Sequence, residues 1–257
     1  MEYIDINCDM GEGFGDYSAG DDTEMLSLVT TANVACGFHA GDPHIMFNLA
    51  RKAKEAGVAI GAHPGYPDLW GFGRRPMTYS PQELKALMVY QIGAFDAAAK
   101  LAGHKMTHVK VHGAMGHLVH REDWAARALI EVIQTLDENI ILSTMVKTIL
   151  SDMAVAEGLR VVHEVYADRA YDPAGQLVSR GIPGAVIHDS EAAAQNVLRM
   201  LSEQAVFTVE GVKIPLKQID SVCVHSDTAG AVEMTAGLVA RLKDEGIALR
   251  PYADMFG

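Results

Sequence analysis

Cysteine is scarce in this chain, and long hydrophobic runs are absent. Three cysteines, Cys8, Cys36 and Cys223, occur among 257 residues, so they cannot all pair, and none stands in a C-x-x-C metal or redox spacing. No stretch reaches the roughly 18 uninterrupted apolar residues of a membrane-spanning helix. The N-terminus shows no basic region or cleavage signal. These absences exclude a disulfide-stapled scaffold and predict a cytoplasmic protein with reduced cysteines and no membrane partner.

Positive charge is also in deficit. Lys and Arg number 21 against 33 Asp and Glu, which gives a formal net charge of −12 at pH 7. Such a charge opposes binding to nucleic acid or to anionic lipid. Hydrophobic residues make up 49% of the chain, as in ordinary globular domains. With no linker, repeat or low-complexity tract, residues 1–257 are predicted to form one domain that acts on a small molecule.

Strand and helix signals alternate along the whole chain. The predicted strands are Tyr3–Cys8, Ala32–Cys36, Val58–Ala62, Met106–His112, Ile140–Thr144, Arg160–Val165 and Ser221–His225. The predicted helices are Asp22–Thr31, Pro43–Ala56, Pro81–Ala102, Asp123–Leu136, Val146–Glu157, Ser190–Glu203 and Gly230–Glu245. A small hairpin is predicted at Phe207–Leu216. This alternation requires a parallel sheet with right-handed crossovers, either as an open doubly wound sheet or as a closed barrel.

One strand favours the barrel. The period-2 pattern of Met106–His112 places His108, Lys110 and His112 on one face. An open parallel sheet covered by helices on both sides would be apolar on both faces, whereas a polar face fits a barrel lumen that leads to a site. We therefore predict an α/β fold that is an incomplete, seven-stranded (β/α) barrel.

Polar residues gather at the predicted carboxyl ends of the strands, where such barrels carry their chemistry. These residues are Asp9, Glu12, His39, His63, Lys110, His112, His225 and Asp227, with Asp168 and Arg169 following the sixth strand. Any one of them is more often a scaffold residue than a catalyst. Burying many ionisable groups together is costly unless function requires it, so their convergence predicts a catalytic site.

Nucleotide motifs are missing. Asp16 stands where the third glycine of a dinucleotide fingerprint would be, and no G-x-x-x-x-G-K-[ST] phosphate loop occurs. A divalent metal is considered for an acidic residue of the first strand, Asp9 in the first place, with His39 or His63, because mixed oxygen and nitrogen ligands suit Zn²⁺ and similar ions. The four-residue spacing of His104 and His108 mimics a helical metal site, but the β-branched alternation there favours a strand.

Several long sequence segments resemble those of a known protein family. They are INCDMGEGFG, ANVACGFHAGDP, VAIGAHPGYPDLWGFGRR, HVKVHGA, YADRAYDPAGQLVSR, PGAVIHD and VCVHSDTAGAV. Together they resemble the LamB/YcsF family essentially from end to end. The resemblance implies a (β/α)7 barrel related to glycoside hydrolases and polysaccharide deacetylases. It also implies the first of three components of an ATP-dependent 5-oxoprolinase, which cleaves 5-oxoproline to L-glutamate together with subunits B and C.

The chain departs from the usual family pattern at a few positions. Val111 replaces a proline, and Gly116 and His117 replace a Tyr-Asn pair. Ser226 and Ala229 stand where glycine and proline are common. Because the neighbouring ionisable residues are retained, the chemistry is expected to be intact, and a related lactam or amide is left open as the substrate.

The combined hypothesis assigns roles to these residues. Asp9 or Glu12 with His39 or His63 activates water, directly or through a metal, while Lys110 and His112 stabilise the oxyanion and supply a proton. The substrate-binding residues are predicted to be Arg75, Asp168, Arg169, His225 and Asp227, with Arg75 or Arg169 holding a carboxylate. ATP is expected to be handled mainly by the partner subunits. Two alternatives remain, a stand-alone metal-dependent amidohydrolase or deacetylase and a non-enzymatic scaffold protein, and self-association is left open.

Overall fold

Alternating strands and helices build the chain. The computed structural model describes residues 2–179, 181–227 and 230–256. The strands in this part of the chain are β1 (Tyr3–Met10), β2 (Thr31–Ala35), β3 (Ala59–His63), β4 (Met106–Val109), β5 (Ile141–Met145), β6 (Arg160–Tyr166), β7 (Ala205–Phe207), β8 (Lys213–Pro215), β9 (Ser221–Val224) and β10 (Ala248–Leu249). The helices are α1 (Asp22–Leu26), α2 (Pro43–Ala56), α3 (Pro81–Leu101), α4 (Gly113–Arg121), α5 (Asp123–Leu136), α6 (Ile149–Ala156), α7 (Ser190–Glu203) and α8 (Ala231–Asp244), followed by a 3₁₀ turn at Tyr252–Phe256. None of these helices is long and apolar enough to cross a membrane.

Seven parallel strands form a closed ring. Strands β1 to β6 pair in chain order, β6 pairs with β9, and β9 pairs back to β1. This closure confirms the predicted seven-stranded (β/α) barrel and excludes the open sheet. The predicted hairpin is also present, since β7 and β8 pair in antiparallel fashion outside the ring. The two-residue strand β10, which pairs in parallel with Tyr3 and Ile4 of β1, was not predicted.

Helix α4 was also missed at the sequence level. It contains Gly113 and Gly116, and glycine disfavours a helix interior by about 1 kcal/mol relative to alanine. Tertiary packing overrides that preference, because Met115 and Val119 are fully buried in the core. The predicted strand Met106–His112 therefore ends earlier, at Val109, and His112 becomes the residue that precedes the helix.

The strand residues alternate between the apolar core and a polar lumen. In β1, Ile4 and Ile6 pack in the hydrophobic core around the ring. Asn7, the residue after Ile6, instead donates inside the lumen to Glu164 and to Ser221. The space is filled tightly, because a Cβ atom at Gly61 would lie 2.2 Å from the ring of His108. The lumen is thus a packed polar interior that leads upward to the strand ends.

The amino end of the barrel is closed by Tyr252 from the C-terminal 3₁₀ turn. Its side chain is fully buried, and its ring meets the ring of His108 edge-on with centroids 5.1 Å apart. Beside it lies Asp5, which accepts hydrogen bonds from Thr30, Thr31 and Ser221. Burial raises the pKa of Asp5 to about 6 despite these bonds.

Replacing Asp5 with Asn should stabilise the fold at pH 8 and have little effect at pH 4. The pKa of Asp5 is about 6 in the folded protein against an ordinary value of 3.8, so the native state loses stability as the pH rises between these two values. Above that range the ionised carboxyl costs on the order of 3 kcal/mol, which the neutral amide avoids. Urea unfolding at both pH values measures the difference, with Asp16→Asn at an exposed position as the control. A D5N protein that is less stable than the parent at pH 8 would contradict the assignment.

Candidate active site

A cavity of about 720 Å³ opens at the carboxyl ends of the ring strands. Its inner wall includes many of the predicted residues, namely Asp9, Glu12, His63, Lys110, His112, His225 and Asp227. His39 lies directly behind this wall, where its ring stacks on the ring of His112 with centroids 3.8 Å apart. The strand ends therefore bring these side chains to one place, while their roles in catalysis stay predictions.

Asp9 and Lys110 form a buried ion pair at the base of the cavity. The Nζ atom of Lys110 lies 2.9 Å from Oδ1 of Asp9, which also accepts from Asn33 Nδ2 at 2.8 Å. Burial opposes ionisation of Asp9, but the charges of His63 and Lys110 outweigh it and hold the pKa of Asp9 well below its usual range. Asp9 is consequently a fixed negative charge at neutral pH.

The ammonium group of Lys110 is saturated by protein groups. Besides Asp9, its Nζ contacts Asn7 Oδ1, Glu164 Oε2 and Cys223 Sγ, each at 3.1 Å. Burial alone would lower the pKa of Lys110, yet Asp9, Cys223 and Glu164 raise it well above its ordinary value. Since an ammonium has three protons and faces four acceptors here, none remains for a substrate. The geometry therefore does not favour the hypothesis that Lys110 stabilises an oxyanion directly, and it makes Lys110 the counter-charge of two carboxylates.

Glu12, His39, His63 and His112 form a buried group that we call the histidine cluster. One donor atom from each lies within 4.8 Å of all the others. Glu12 Oε1 lies 3.5 Å from His39 Nε2 and 3.6 Å from His112 Nδ1, and His63 Nε2 lies 3.1 Å from His112 Nδ1. The four members lie at or just beyond the ends of β1, β2 and β3 and at the start of α4.

The outer nitrogens of two cluster histidines contact backbone carbonyls. His63 Nδ1 donates to the carbonyl of Lys110 at 2.7 Å, and His112 Nε2 donates to that of Phe72 at 2.8 Å. A carbonyl only accepts, so these nitrogens carry the hydrogens and the inner nitrogens of neutral rings present lone pairs to each other. The centre therefore needs a positive charge, either a proton on His63 or a bound cation.

The donor set of the cluster fits a divalent metal ion. Glu12 Oε1 and both ring nitrogens of His39 are buried without a hydrogen-bond partner among the described residues. Three imidazoles and one carboxylate are ligands typical of Zn²⁺ and similar ions, and backbone partners on the outer nitrogens are the usual support for such ligands. Asp9, which the sequence suggested as the acidic ligand, is not in this group, and Glu12 takes its place.

The ionisation of the cluster is shifted by burial. Burial and the charge of Asp9 raise the pKa of Glu12 to about 7. Burial and neighbouring histidines lower the pKa of His39 and of His112 well below the ordinary value. A carboxyl group that titrates near neutral pH is suited to taking and returning a proton. Glu12 therefore combines the position and the pKa of a general base.

The loop of residues 64–79, which we call the mouth loop, covers the cluster. Phe72 meets the rings of His39 and His112 edge-on, and it adopts a φ of +54°, a strained backbone conformation for a residue other than glycine. The adjacent Gly73 is required, because a Cβ atom there would lie 2.7 Å from Cβ of His39. Arg74 stacks over Phe72 and reaches Asp227 at 2.9 Å, which ties the loop to the end of β9.

The two arginines of the mouth loop have different surroundings. Arg75, which the sequence suggested as a carboxylate ligand, pairs with Asp68 within the loop, and its side chain is 65% exposed. It does not line the cavity, whereas Arg74 does. Arg169 also lines the cavity, where Nη2 donates to the carbonyl of Val178 at 2.6 Å. Of the predicted carboxylate ligands, the structure thus places Arg169 and not Arg75 at the cavity.

Helix α4 contributes cavity residues that were not among the predicted site residues. His117, His120 and Arg121 line the outer part, where His120 pairs with the hydroxyl of Thr144 at 3.0 Å. Burial lowers the pKa of His120 to about 3, so it is neutral. Their signal was hidden because α4 itself was not predicted. The departures from the family pattern at Val111, Gly116, His117 and Ser226 all line this cavity, and Ala229 lies outside the described residues.

His225 and Asp168 form a second histidine–carboxylate pair. His225 Nδ1 lies 3.1 Å and 3.2 Å from the two carboxylate oxygens of Asp168. The imidazole ring stacks on Tyr166 with centroids 5.6 Å apart. His225 lines the cavity, and Asp168 supports it from behind.

Comparison with known proteins gives consistent matches over the whole chain. The LamB/YcsF family model matches residues 4–257. The chain is 49% identical over 254 residues to the 5-oxoprolinase A subunit of Rhodopseudomonas palustris strain BisA53, covering 98% of this chain and 99% of that protein. It is 46% identical over 254 residues to the 5-oxoprolinase A subunit of Pyrococcus abyssi, covering 99% of both.

Solved structures agree with the fold. The lactam utilization protein of Thermus thermophilus superimposes with a TM-score of 0.91 at 40% identity, covering 96% of this chain and 99% of that chain. A deacetylase solved with its substrate superimposes with a TM-score of 0.50 at 13% identity, covering 99% of this chain and 90% of that chain. The second likeness shows only that the two barrels share a fold.

Proposed function

The chain belongs to the LamB/YcsF family, and from this premise we propose that it is the A subunit of an ATP-dependent 5-oxoprolinase. The names of its relatives support a 5-oxoprolinase-related role and a hydrolase that acts on an amide. The proposed reaction opens the lactam of 5-oxoproline to L-glutamate, coupled to ATP hydrolysis in a complex with subunits B and C. The cytoplasmic location expected from the sequence stays a prediction.

The polarity of the cavity carries this proposal. Its inner end holds the carboxylates of Asp9 and Glu12, while its outer wall holds Arg121 and the 7%-exposed Arg169. An anionic lactam such as 5-oxoproline would turn its carboxylate toward the arginines and its amide carbonyl toward the histidine cluster.

Opening an unstrained lactam needs an activated water, a polarised carbonyl and a proton for the leaving nitrogen. Glu12 accepts the proton of the attacking water, since its pKa of about 7 suits that transfer near neutral pH. Asp9, fixed as an anion by Lys110, orients His63 through the 3.3 Å contact between its Oδ2 and Nε2. If a divalent ion were bound, Glu12, His39, His63 and His112 would hold it, and it would supply polarisation of the carbonyl oxygen. The role of Glu12 as the base applies to the cluster without the ion.

ATP is assigned mainly to the partner subunits, because the chain carries no phosphate-loop motif. In this proposal the partners activate the lactam carbonyl as a phosphorylated species, and the barrel opens the ring. The cavity of about 720 Å³ is much larger than a five-membered lactam and leaves room for a phosphoryl group.

Reconstitution tests the proposal directly. We expect the isolated chain to release little or no glutamate from 5-oxoproline, and the chain with subunits B and C to release it only when ATP is present. Glutamate and ADP are measured in parallel, with each component omitted in turn as the control. Robust hydrolysis by the isolated chain without ATP would refute the division of labour.

A stand-alone metal-dependent amidohydrolase or deacetylase is the second candidate. The donor set of the histidine cluster favours it, because three imidazoles and a carboxylate could activate water without help from ATP. This candidate predicts turnover of a small amide or N-acyl substrate by the metal-loaded chain alone. The same assay, run on the isolated chain with added Zn²⁺, separates the two functions.

A further inference from the structure

We propose that His225 is the acid that protonates the lactam nitrogen as the ring opens, and that Asp168 positions it. This inference rests on the proposed function, which requires a proton donor for the leaving nitrogen without naming one. The sequence analysis placed both residues among the substrate-binding positions, so the assignment also changes their role.

The geometry of the pair leaves one ring nitrogen for the substrate. Nδ1 of His225 faces both oxygens of Asp168 at 3.1 Å and 3.2 Å, and it must therefore donate its proton to that carboxylate. Nε2 at the other end of the ring has no hydrogen-bond partner among the described residues, and His225 lines the cavity. Stacking on Tyr166 and the burial of Asp168, which is 4% exposed, restrict rotation of the ring.

The charge of the pair suits a donor. When Nε2 carries a proton, the imidazolium is compensated by Asp168 behind it and faces the negative inner wall of Asp9 and Glu12 in front. After the transfer the neutral ring keeps its Nδ1–H bond to Asp168, so its orientation does not change. A carboxylate that holds a histidine in this way acts through orientation and charge compensation.

Other basic groups of the inner wall direct their protons to protein acceptors or into the cluster. All three protons of Lys110 are used by protein acceptors. The hydrogens of His63 and His112 are donated to backbone carbonyls, and the remaining nitrogens face the cluster. Glu12 serves as the acceptor for water in the proposed function. His225 is therefore the basic group of the inner wall that keeps a ring nitrogen without a hydrogen-bond partner among the described residues.

Ring opening at this site moves two protons. Water adds its oxygen to the carbonyl carbon and gives a proton to Glu12. As the C–N bond breaks, its electron pair moves to nitrogen, which takes the proton from Nε2 of His225 and becomes the amine of the product. The phosphoryl group that activates the carbonyl in the proposed function stays on its oxygen during this step, and hydrolysis of the resulting acyl phosphate by a second water releases phosphate and glutamate. His225 is then neutral and regains a proton from solvent, while Glu12 releases the one it took, so no net proton is gained or lost by the protein.

The experiment replaces His225 in the complete complex with subunits B and C, assayed with 5-oxoproline and ATP. For His225→Ala we expect kcat to fall about 10²- to 10³-fold, with KM within threefold of the parent value. Added imidazole should raise the kcat of this variant at least tenfold. His163→Ala is the matched control, because His163 also faces a carboxylate, Asp220, at 3.5 Å but lies away from the cavity. It should leave kcat within twofold.

Asp168→Asn provides a second variant in case His225→Ala does not fold. We expect a kcat loss of about 10- to 100-fold with unchanged KM, and partial recovery in Asp168→Glu. A rise in KM with kcat unchanged in either variant would overturn the inference and restore a substrate-binding role. Unchanged kcat in His225→Ala would overturn it as well. A parent complex that forms no glutamate would instead overturn the proposed function, and this inference with it.

Discussion

Replacing Lys110 with Met should lower glutamate formation by the complete complex at least about 10³-fold and also destabilise the fold. Lys110 is the shared counter-charge of Asp9 and Glu164, and its side chain is 3% exposed. Without it, two buried carboxylates lose their positive partner, which costs about 3–5 kcal/mol. Asp9 would then take up a proton more readily, and the charge that orients His63 would be lost.

A second substitution separates the two effects of Lys110. Adding Glu164→Gln to the Lys110→Met chain removes one unpaired charge, so stability in urea should recover in part while activity does not. Lys85→Met is the control, because Lys85 pairs with Glu131 between α3 and α5 on the outside of the barrel. It should keep activity within twofold. Recovery of activity together with stability in the double variant would show that Lys110 serves only the fold.

Replacing Glu12 with Gln should abolish activity without weakening the fold. We expect kcat to fall about 10³-fold, because the amide can neither accept the proton of water nor complete the charge of the cluster. Zn²⁺ affinity, measured by titration calorimetry on the isolated chain, should fall at least about 100-fold. Stability at pH 8 should rise, since the pKa of Glu12 is raised to about 7 and its ionised form is therefore disfavoured in the folded state.

Glu122→Gln is the matched control for Glu12, because Glu122 lines the outer part of the same cavity. It should leave activity and metal affinity within twofold of the parent values, and the free energy of unfolding unchanged. If the Glu12→Gln chain bound Zn²⁺ as tightly as the parent, Glu12 would not be a ligand. Normal turnover in that variant would remove it from the mechanism as well.

The barrel could be predicted because its signal is local. Alternation in the predicted strand Met106–His112 placed His108 and Lys110 on one face, and that face is the lumen. Helices α2, α5 and α7 have the predicted bounds because their apolar faces follow from consecutive residues, and the side chains of Asp42 and Asp189 also cap α2 and α7. That residues 1–257 form one domain stays a prediction.

The contacts of the site residues could not be predicted from the sequence, because they join residues on different strands of the ring. The sequence places Lys110 in a predicted strand but does not show that four acceptors surround its ammonium group. It favoured Asp9 as the acidic metal ligand, whereas Glu12 is the carboxylate that faces His39. Arg74 and Arg75 are adjacent in the chain, and the backbone conformation of the mouth loop decides that Arg74 meets the cavity while Arg75 turns to Asp68.

The hydrogen bond between His112 and Phe72 joins the mouth loop to the histidine cluster through a single imidazole ring. A ligand that binds to the cluster fixes the tautomer of His112. It therefore favours the loop conformation in which the carbonyl of Phe72 accepts the hydrogen bond from Nε2 of His112. By thermodynamic reciprocity, a partner or substrate that holds the loop in place must strengthen binding at the cluster by the same factor. Cation affinity and access to the cavity are therefore coupled quantities, and a change in one is a measure of the other.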